Sequence, residues 1–170
     1  MTTTVSAPAT SAYDTTRVYQ HGIAAGVLAA LAVAVWFLVF DTVRGRPLYT
    51  PSVLGTALFG RGASLAPLEA APIAIDKVLM FTWVHGLVFA ALGGIAARLL
   101  AVAERSPHVG FGILLLFVIF MACFTAAAYL IAAPVLQALT WPAVVVANLL
   151  AAGVMGAYLW WRHPTLRVEP

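Results

Sequence analysis

Three polar side chains inside long apolar stretches are the residues of this sequence best suited to chemistry. His85 is the only titratable residue deep within an apolar segment, and Tyr129 and Asn148 lie inside two later segments. Counting about 1.5 Å per helical residue from the boundary of each segment puts the three at similar depths. Such a layer could contact a haem or a quinone, or carry protons. It could equally join helices by hydrogen bonds.

The composition of the whole chain predicts that these residues lie in a membrane. Of the 170 residues, 63% are hydrophobic and 9% are charged, whereas charged residues make up about a quarter of ordinary soluble domains. The lipid bilayer is therefore the expected surroundings. The formal net charge is +3, and the nine Lys and Arg residues flank apolar segments. This is the pattern of membrane boundaries, so no nucleic-acid partner is expected.

Four apolar segments are long enough to cross a bilayer as helices. We predict spans at about 21–41, 73–103, 109–133 and 143–161 within a domain at 21–163, with a flexible tail at 1–20 and a C-terminal tail at 164–170. The stretch 106–161 contains no Lys, Arg, Asp or Glu. A cluster of Pro134, Thr140 and Pro142 divides it into two spans. The predicted fold is an all-α membrane protein, an antiparallel four-helix transmembrane bundle.

The long first loop, Thr42 to Pro72, carries four prolines and four glycines. Within it, Thr50 precedes a proline and is a candidate N-cap for a short helix ending near Phe59. This piece is too apolar for a free surface loop. We expect it to lie on the bilayer interface or to fold back against the bundle.

Small residues predict where the first two spans pack. Their stripes are Gly22, Gly26, Ala30 and Ala34 in the first span, and Gly86, Ala90, Gly93, Gly94 and Ala97 in the second. Such stripes let helices approach closely, within one chain or between partners. His85 borders the second stripe, so it should face protein rather than lipid.

Charged residues gather at the ends of these spans, namely Asp41, Arg44, Arg46, Asp76 and Lys77. Asp41 and Arg44 are three residues apart and could pair. The group could hold the first loop, bind lipid headgroups or contact a partner. A solvated rim of no further function is the simpler interpretation.

The sequence contains no catalytic signature and no recognised metal motif. No enzyme activity, metal site or cofactor is therefore predicted, and haem and quinone are kept as the ligands of the alternative function. His21 and His85 differ in depth by about half a membrane, so two histidines of one chain should not share a haem. The single cysteine, Cys123, lies in an apolar run and is expected to act as a small hydrophobic residue.

The run from Trp36 to Gly55, W-F-L-V-F-D-x-V-x-G-R-P-L-Y-T-P-x-x-L-G, and the ending A-Y-L-W-W-R-H-P resemble small bacterial membrane proteins with four spans. The resemblance implies a bacterial origin and a topology, and it carries no activity. Arg98, Arg105 and Arg162, set against a third loop without charges, favour both termini in the cytoplasm. The expected location is the bacterial inner (plasma) membrane.

These observations favour a non-enzymatic protein, an accessory or scaffolding subunit of a larger membrane complex or a homo-oligomer. The expected partners are the lipid bilayer and either another protein or a second copy. One alternative is a redox or ligand-binding protein that uses His85 to contact haem or quinone. Another is a small transporter or channel, although the spans lack the intramembrane carboxylates typical of coupled transport.

Overall fold

The computed structural model describes residues 15–60, 72–105 and 140–162, and within these ranges it contains helices and no strand. The helices are α1 (Thr15–Val43), α2 (Tyr49–Phe59), α3 (Ile75–Arg105) and α4 (Trp141–Arg162). α1, α3 and α4 are each long and apolar enough to cross a membrane, since about twenty helical residues span the hydrocarbon core. The all-α class and the membrane character predicted from the sequence are confirmed at this level.

The side chains are distributed as a bilayer requires. The buried core is rich in alanine, including Ala25, Ala29 and Ala97. Large apolar side chains lie on the outside, with Trp83 71% exposed and Leu149 67% exposed. An apolar surface of this extent would be unfavourable in water but suits hydrocarbon. Small residues inside allow the helix backbones to approach one another.

Glycines bring α1 and α3 into direct backbone contact. A Cβ added at Gly22 would collide with the carbonyl oxygen of Gly93 and would lie 2.7 Å from the Cβ of Ala97. A Cβ added at Gly26 would collide with the carbonyl oxygen of Phe89. No side chain fits between the two backbones here. Most residues of the predicted stripes therefore lie on the shared surface of the two helices, within the chain.

Two members of the predicted stripes lie outside this contact. Ala34 is exposed, and a Cβ added at Gly86 would meet nothing within 4 Å. The closest approach of α1 and α3 is therefore confined to the half of α1 that contains Gly22 and Gly26.

α1 runs antiparallel to both α3 and α4. The glycine contacts set this direction for α3, because early residues of α1 meet late residues of α3. For α4, Val18 clusters with Leu159 near the end of the helix. Trp36 donates a hydrogen bond from Nε1 to the carbonyl oxygen of Ala143 near its beginning, at 2.9 Å. α3 and α4 consequently point the same way along the bundle.

A glycine turn ends α1. Gly45 has a φ of 72°, a left-handed conformation that favours glycine. Its N–H donates to the carbonyl oxygen of Thr42, and the N–H of Arg46 donates to that of Asp41, both at 2.9 Å. This is the bonding pattern of a Schellman helix end. It satisfies two carbonyls that the helix itself leaves without a partner.

α2 folds back against α3, which was one of the two positions expected for the short helix. A Cβ added at Gly55 would collide with the carbonyl oxygen of Lys77. The predicted end at Phe59 is confirmed, but the prediction of Thr50 as N-cap is wrong. Leu48 occupies the cap position in a left-handed conformation, with a φ of 65°. Thr50 lies inside the first turn, and its hydroxyl donates to Asp41 at the end of α1.

The other helix boundaries differ from the predicted spans mainly at the start of α1. The helix begins at Thr15, inside the segment predicted to be a flexible tail. The prediction was based on apolar residues alone, whereas a helix can continue beyond the hydrocarbon when its side chains pack, as buried Val18 does. The predicted spans 73–103 and 143–161 correspond to α3 and α4. The predicted span 109–133 and the tail 164–170 lie outside the described residues.

Candidate functional site

His85 lies in the middle of α3 with its ring packed between aromatic neighbours. Phe81 stacks on the imidazole with 5.6 Å between ring centroids, and Phe89 lies tilted against it at 4.6 Å. These residues are one turn before and one turn after His85. The imidazole also lies close to the backbone of Ala30 on α1. The side chain is half-buried and faces protein, as the position beside the glycine stripe predicted.

One nitrogen of this ring has no partner. Nε2 of His85 is buried and forms no hydrogen bond with any described residue. A buried polar atom without a partner is unfavourable. In a neutral imidazole, the nitrogen without hydrogen can accept a hydrogen bond or coordinate a metal. Among the described residues, His85 is therefore the clearest candidate for contact with a ligand.

The predicted polar layer is assembled only in part. Asn148 is flanked on α4 by Ala147 and Ala151, which cluster with Ala29 of α1, so it lies at a depth close to that of His85. Its side chain is exposed and forms no hydrogen bond with the described residues. The two polar groups thus share a height without a contact between them. The third member of the layer, Tyr129, lies outside the described residues.

A haem held by two histidines is not assembled within the described part of the chain. His21 is adjacent to Gly22, which contacts Gly93, whereas His85 lies against Ala30. Nine helical residues separate these two levels of α1, or about 14 Å. No group of three or more potential metal ligands occurs among the described residues. His85 alone would supply one axial ligand.

Asp41 forms a buried polar junction between α1 and α2. It is 2% exposed. Its Oδ2 accepts a hydrogen bond from the N–H of Thr50 at 2.7 Å, and its Oδ1 accepts one from the Thr50 hydroxyl at 2.8 Å. The carboxylate satisfies a donor that the first turn of α2 leaves free. Asp41 therefore stabilises the fold rather than lying on the rim.

The expected pair of Asp41 and Arg44 is not formed. Both carboxylate oxygens turn inward to Thr50, and the Arg44 guanidinium lies over the ring of Phe40 at 4.3 Å. An inward carboxylate cannot also meet an exposed guanidinium. The prediction counted only positions along one helix and omitted the partner that α2 supplies.

The other charged residues of this end remain near the surface. The guanidinium of Arg46 lies over the ring of Tyr49 at 4.0 Å. Nζ of Lys77 lies 3.1 Å from Oδ2 of Asp76. Each of these cations thus has an aromatic or acidic neighbour. Contact of this group with lipid or with a partner stays a prediction.

Sequence reasoning missed a second buried polar contact beside Asp41. Ser52 is 6% exposed, and its Oγ accepts a hydrogen bond from the N–H of Ala74 at 3.0 Å. Ala74 directly precedes α3, so this bond satisfies a donor at the start of that helix. The signal in the sequence is the Ser of the Thr-Pro-Ser run that begins the short apolar helix, whereas the cap prediction considers Thr50 alone.

Comparison with known proteins adds no family to this description. No family model matches the sequence, and no curated protein and no solved structure matches it significantly. Functional inference for this chain therefore depends on its own residues.

Proposed function

We propose that the protein is a non-enzymatic integral membrane protein that associates with a partner through α4. Its role would be that of an accessory or scaffolding subunit of a larger membrane complex, or of a homo-oligomer. The observation that carries the proposal is Asn148, an exposed amide in the middle of a helix able to cross a bilayer. An amide that faces hydrocarbon loses its hydrogen bonds with water. A second helix can restore them.

The surface around Asn148 is suited to close helix packing. Ala152 and Gly156 follow it at four-residue spacing, so the three residues share one side of α4, and all are exposed. A Cβ added at Gly153 or Gly156 would meet nothing within 4 Å. We call Asn148, Ala152, Gly153 and Gly156 the α4 face. Small residues beside an amide allow a neighbouring backbone to come within hydrogen-bonding distance.

The native mass of the protein tests this proposal. Full-length protein is extracted from its own membranes in a mild detergent, and its mass and any comigrating protein are determined. We expect a complex that is lost in the double variant Asn148→Leu/Gly156→Leu. The control Ala157→Leu adds similar bulk at an exposed neighbouring position and should retain the complex.

The partner found in this experiment separates the two forms of the proposal. A different membrane protein in the complex supports an accessory subunit and names the process it serves, whereas a multiple of the chain's own mass supports a homo-oligomer. A monomeric wild-type protein, or equal loss of the complex in both variants, would contradict association through the α4 face.

We also propose that the chain crosses a bacterial inner membrane four times, with both termini in the cytoplasm. α3 and α4 are both antiparallel to α1, so the end of α3 and the start of α4 belong to opposite ends of the bundle. The chain between them then has to cross the bilayer once more. The apolar segment 109–133 is long enough to do so. With this orientation five of the nine Lys and Arg residues would lie on the cytoplasmic side and four on the other, which is the direction that the positive-inside rule expects.

A second function is favoured by the unpartnered Nε2 of His85, namely binding of a haem or a quinone inside the membrane. Either ligand could use this nitrogen, since haem iron accepts an imidazole ligand and a quinol hydroxyl donates to one.

Protein purified from its own membranes would be examined for a visible absorption band and for extractable quinone. A band lost in both His85→Ala and His85→Gln supports haem. Quinone retained by His85→Gln and lost from His85→Ala supports a hydrogen-bonded quinone. Colourless protein without quinone would exclude both ligands.

A further inference from the structure

Three arginines lie at the same height at one end of the bundle. The level is set by Val18 of α1, which clusters with Ala97 of α3 and Leu159 of α4. Each of these core residues has an arginine within about one helical turn, which is about 5 Å along the axis. We call these three arginines, Arg17, Arg98 and Arg162, the arginine layer.

The arginine layer lies at the height expected for lipid headgroups. All three side chains are exposed. The guanidinium of Arg162 lies 4.9 Å from the ring of Trp161 and 5.6 Å from that of Tyr158. Trp and Tyr favour the boundary between headgroups and hydrocarbon. These contacts hold the Arg162 side chain beside aromatic residues of the boundary.

The described cations of the opposite end have carboxylates beside them. Around the first loop, Arg44, Arg46 and Lys77 are accompanied by the carboxylates of Asp41 and Asp76. Neither Arg98 nor Arg162 forms an ion pair with a residue that the structure describes.

We propose that the arginine layer binds the phosphate groups of anionic phospholipids. A planar guanidinium presents two parallel N–H groups that match two phosphate oxygens. Three such groups at one height, on three different helices, face the rim of the bilayer and are not enclosed in a pocket. Lipid phosphate is the anion present at that position, and the binding does not depend on association through the α4 face.

The proposal is tested by counting bound lipid on the full-length protein. Native mass spectrometry in mild detergent would compare phosphatidylglycerol with phosphatidylcholine over a range of concentrations. The test variant is Arg98→Gln/Arg162→Gln, and the matched control at the opposite end is Arg44→Gln/Arg46→Gln. Circular dichroism would establish that each variant keeps its helical content.

We expect phosphatidylglycerol to bind the test variant more weakly, by about fivefold for each guanidinium removed. The control, which has the same net charge as the test variant, should bind it more tightly than the test variant does. Arg98→Lys/Arg162→Lys should retain most of the affinity because the charge remains. Unchanged binding by the test variant would overturn the proposal. Equal weakening of test and control variants would also overturn it, since the effect would then be one of net charge. Binding of phosphatidylcholine as tight as that of phosphatidylglycerol would overturn the proposal as well.

Discussion

Asp41 and His85 are both polar groups inside the bundle, and they differ in how their polar atoms are satisfied. Both carboxylate oxygens of Asp41 accept hydrogen bonds from Thr50. Nε2 of His85 has no partner among the described residues. A satisfied buried group stabilises the fold, whereas an orphaned one is costly unless a ligand completes it. This difference assigns structure to Asp41 and makes His85 the residue to test for a ligand.

Replacing Asp41 with alanine should destabilise the protein strongly. The change leaves the N–H and hydroxyl of Thr50 without an acceptor in a buried site, so we expect the free energy of unfolding to fall by about 2–4 kcal/mol. Unfolding of the purified protein by added denaturing detergent measures the change. Asp76→Ala, in which an exposed carboxylate is removed, should leave the transition unchanged. Equal destabilisation by the two variants would show that the hydrogen bonds of Asp41 do not stabilise the protein.

At the scale of helices, α1 is the element on which α3 and α4 pack. Its glycines meet the backbone of α3, while alanines on another side, including Ala29, pack with Ala147 and Ala151 of α4. Both contacts depend on small side chains, because hydrocarbon supplies no hydrophobic drive for helices to associate and close packing has to supply it. The element therefore tolerates added volume only where it faces lipid.

Gly26→Ala should separate α1 from α3. The new methyl group would collide with the Phe89 carbonyl, so we expect a loss of about 1–3 kcal/mol in unfolding free energy. Gly86→Ala is the matched control, because its methyl group meets nothing within 4 Å. Alanine is also the better helix former. The stabilities of the two variants would be compared by unfolding in denaturing detergent. A Gly26→Ala protein as stable as Gly86→Ala would refute the close contact.

Trp36→Phe should have a smaller effect on the contact between α1 and α4. It removes one hydrogen bond to the Ala143 carbonyl and leaves the aromatic ring. Hydrogen bonds between helices in membranes contribute about 0.6 kcal/mol on average, and we expect a loss of that order. The same unfolding experiment measures it. A loss as large as that of Gly26→Ala would mean that this bond, rather than packing, holds α4 in place.

At the scale of the whole molecule, the directions of α1, α3 and α4 constrain the topology. α1 is antiparallel to the other two, which places the start of α1 and the ends of α3 and α4 at one end of the bundle. That end carries the arginine layer. The opposite end carries α2, which is joined to α1 through Asp41 and to α3 through Ser52. The two ends are thus different in structure.

Reporter fusions should find both termini on the same, cytoplasmic side. A fluorescent protein fused before Met1 or after Pro170 should fluoresce, since it folds in the cytoplasm. A periplasmic alkaline phosphatase inserted within 61–71 should be active, because the first loop belongs to the other side. Termini on opposite sides would contradict four spans, and active phosphatase at both termini would reverse the orientation.

Several features of the fold could be predicted from local sequence. Apolar length alone predicted the spans that became α1, α3 and α4, because hydrocarbon thickness demands about twenty apolar residues. Residue spacing identified Gly22, Gly26 and Gly93 as packing positions, since small residues at helical spacing form one surface. The start of α1 at Thr15 was not predicted, because packing of Val18 rather than hydropathy extends the helix.

The sequence by itself therefore determined the helical membrane class, the small-residue surfaces and the inward position of His85, all of which follow from hydropathy and helical periodicity. Tertiary structure decided which polar groups are satisfied. Asp41 turned to Thr50 rather than to Arg44, and Ser52 turned to Ala74, because α2 folds back on α3 and brings donors that are distant in sequence. Tertiary structure also decided that three arginines share one height, since the register between helices depends on how their glycines and alanines fit together.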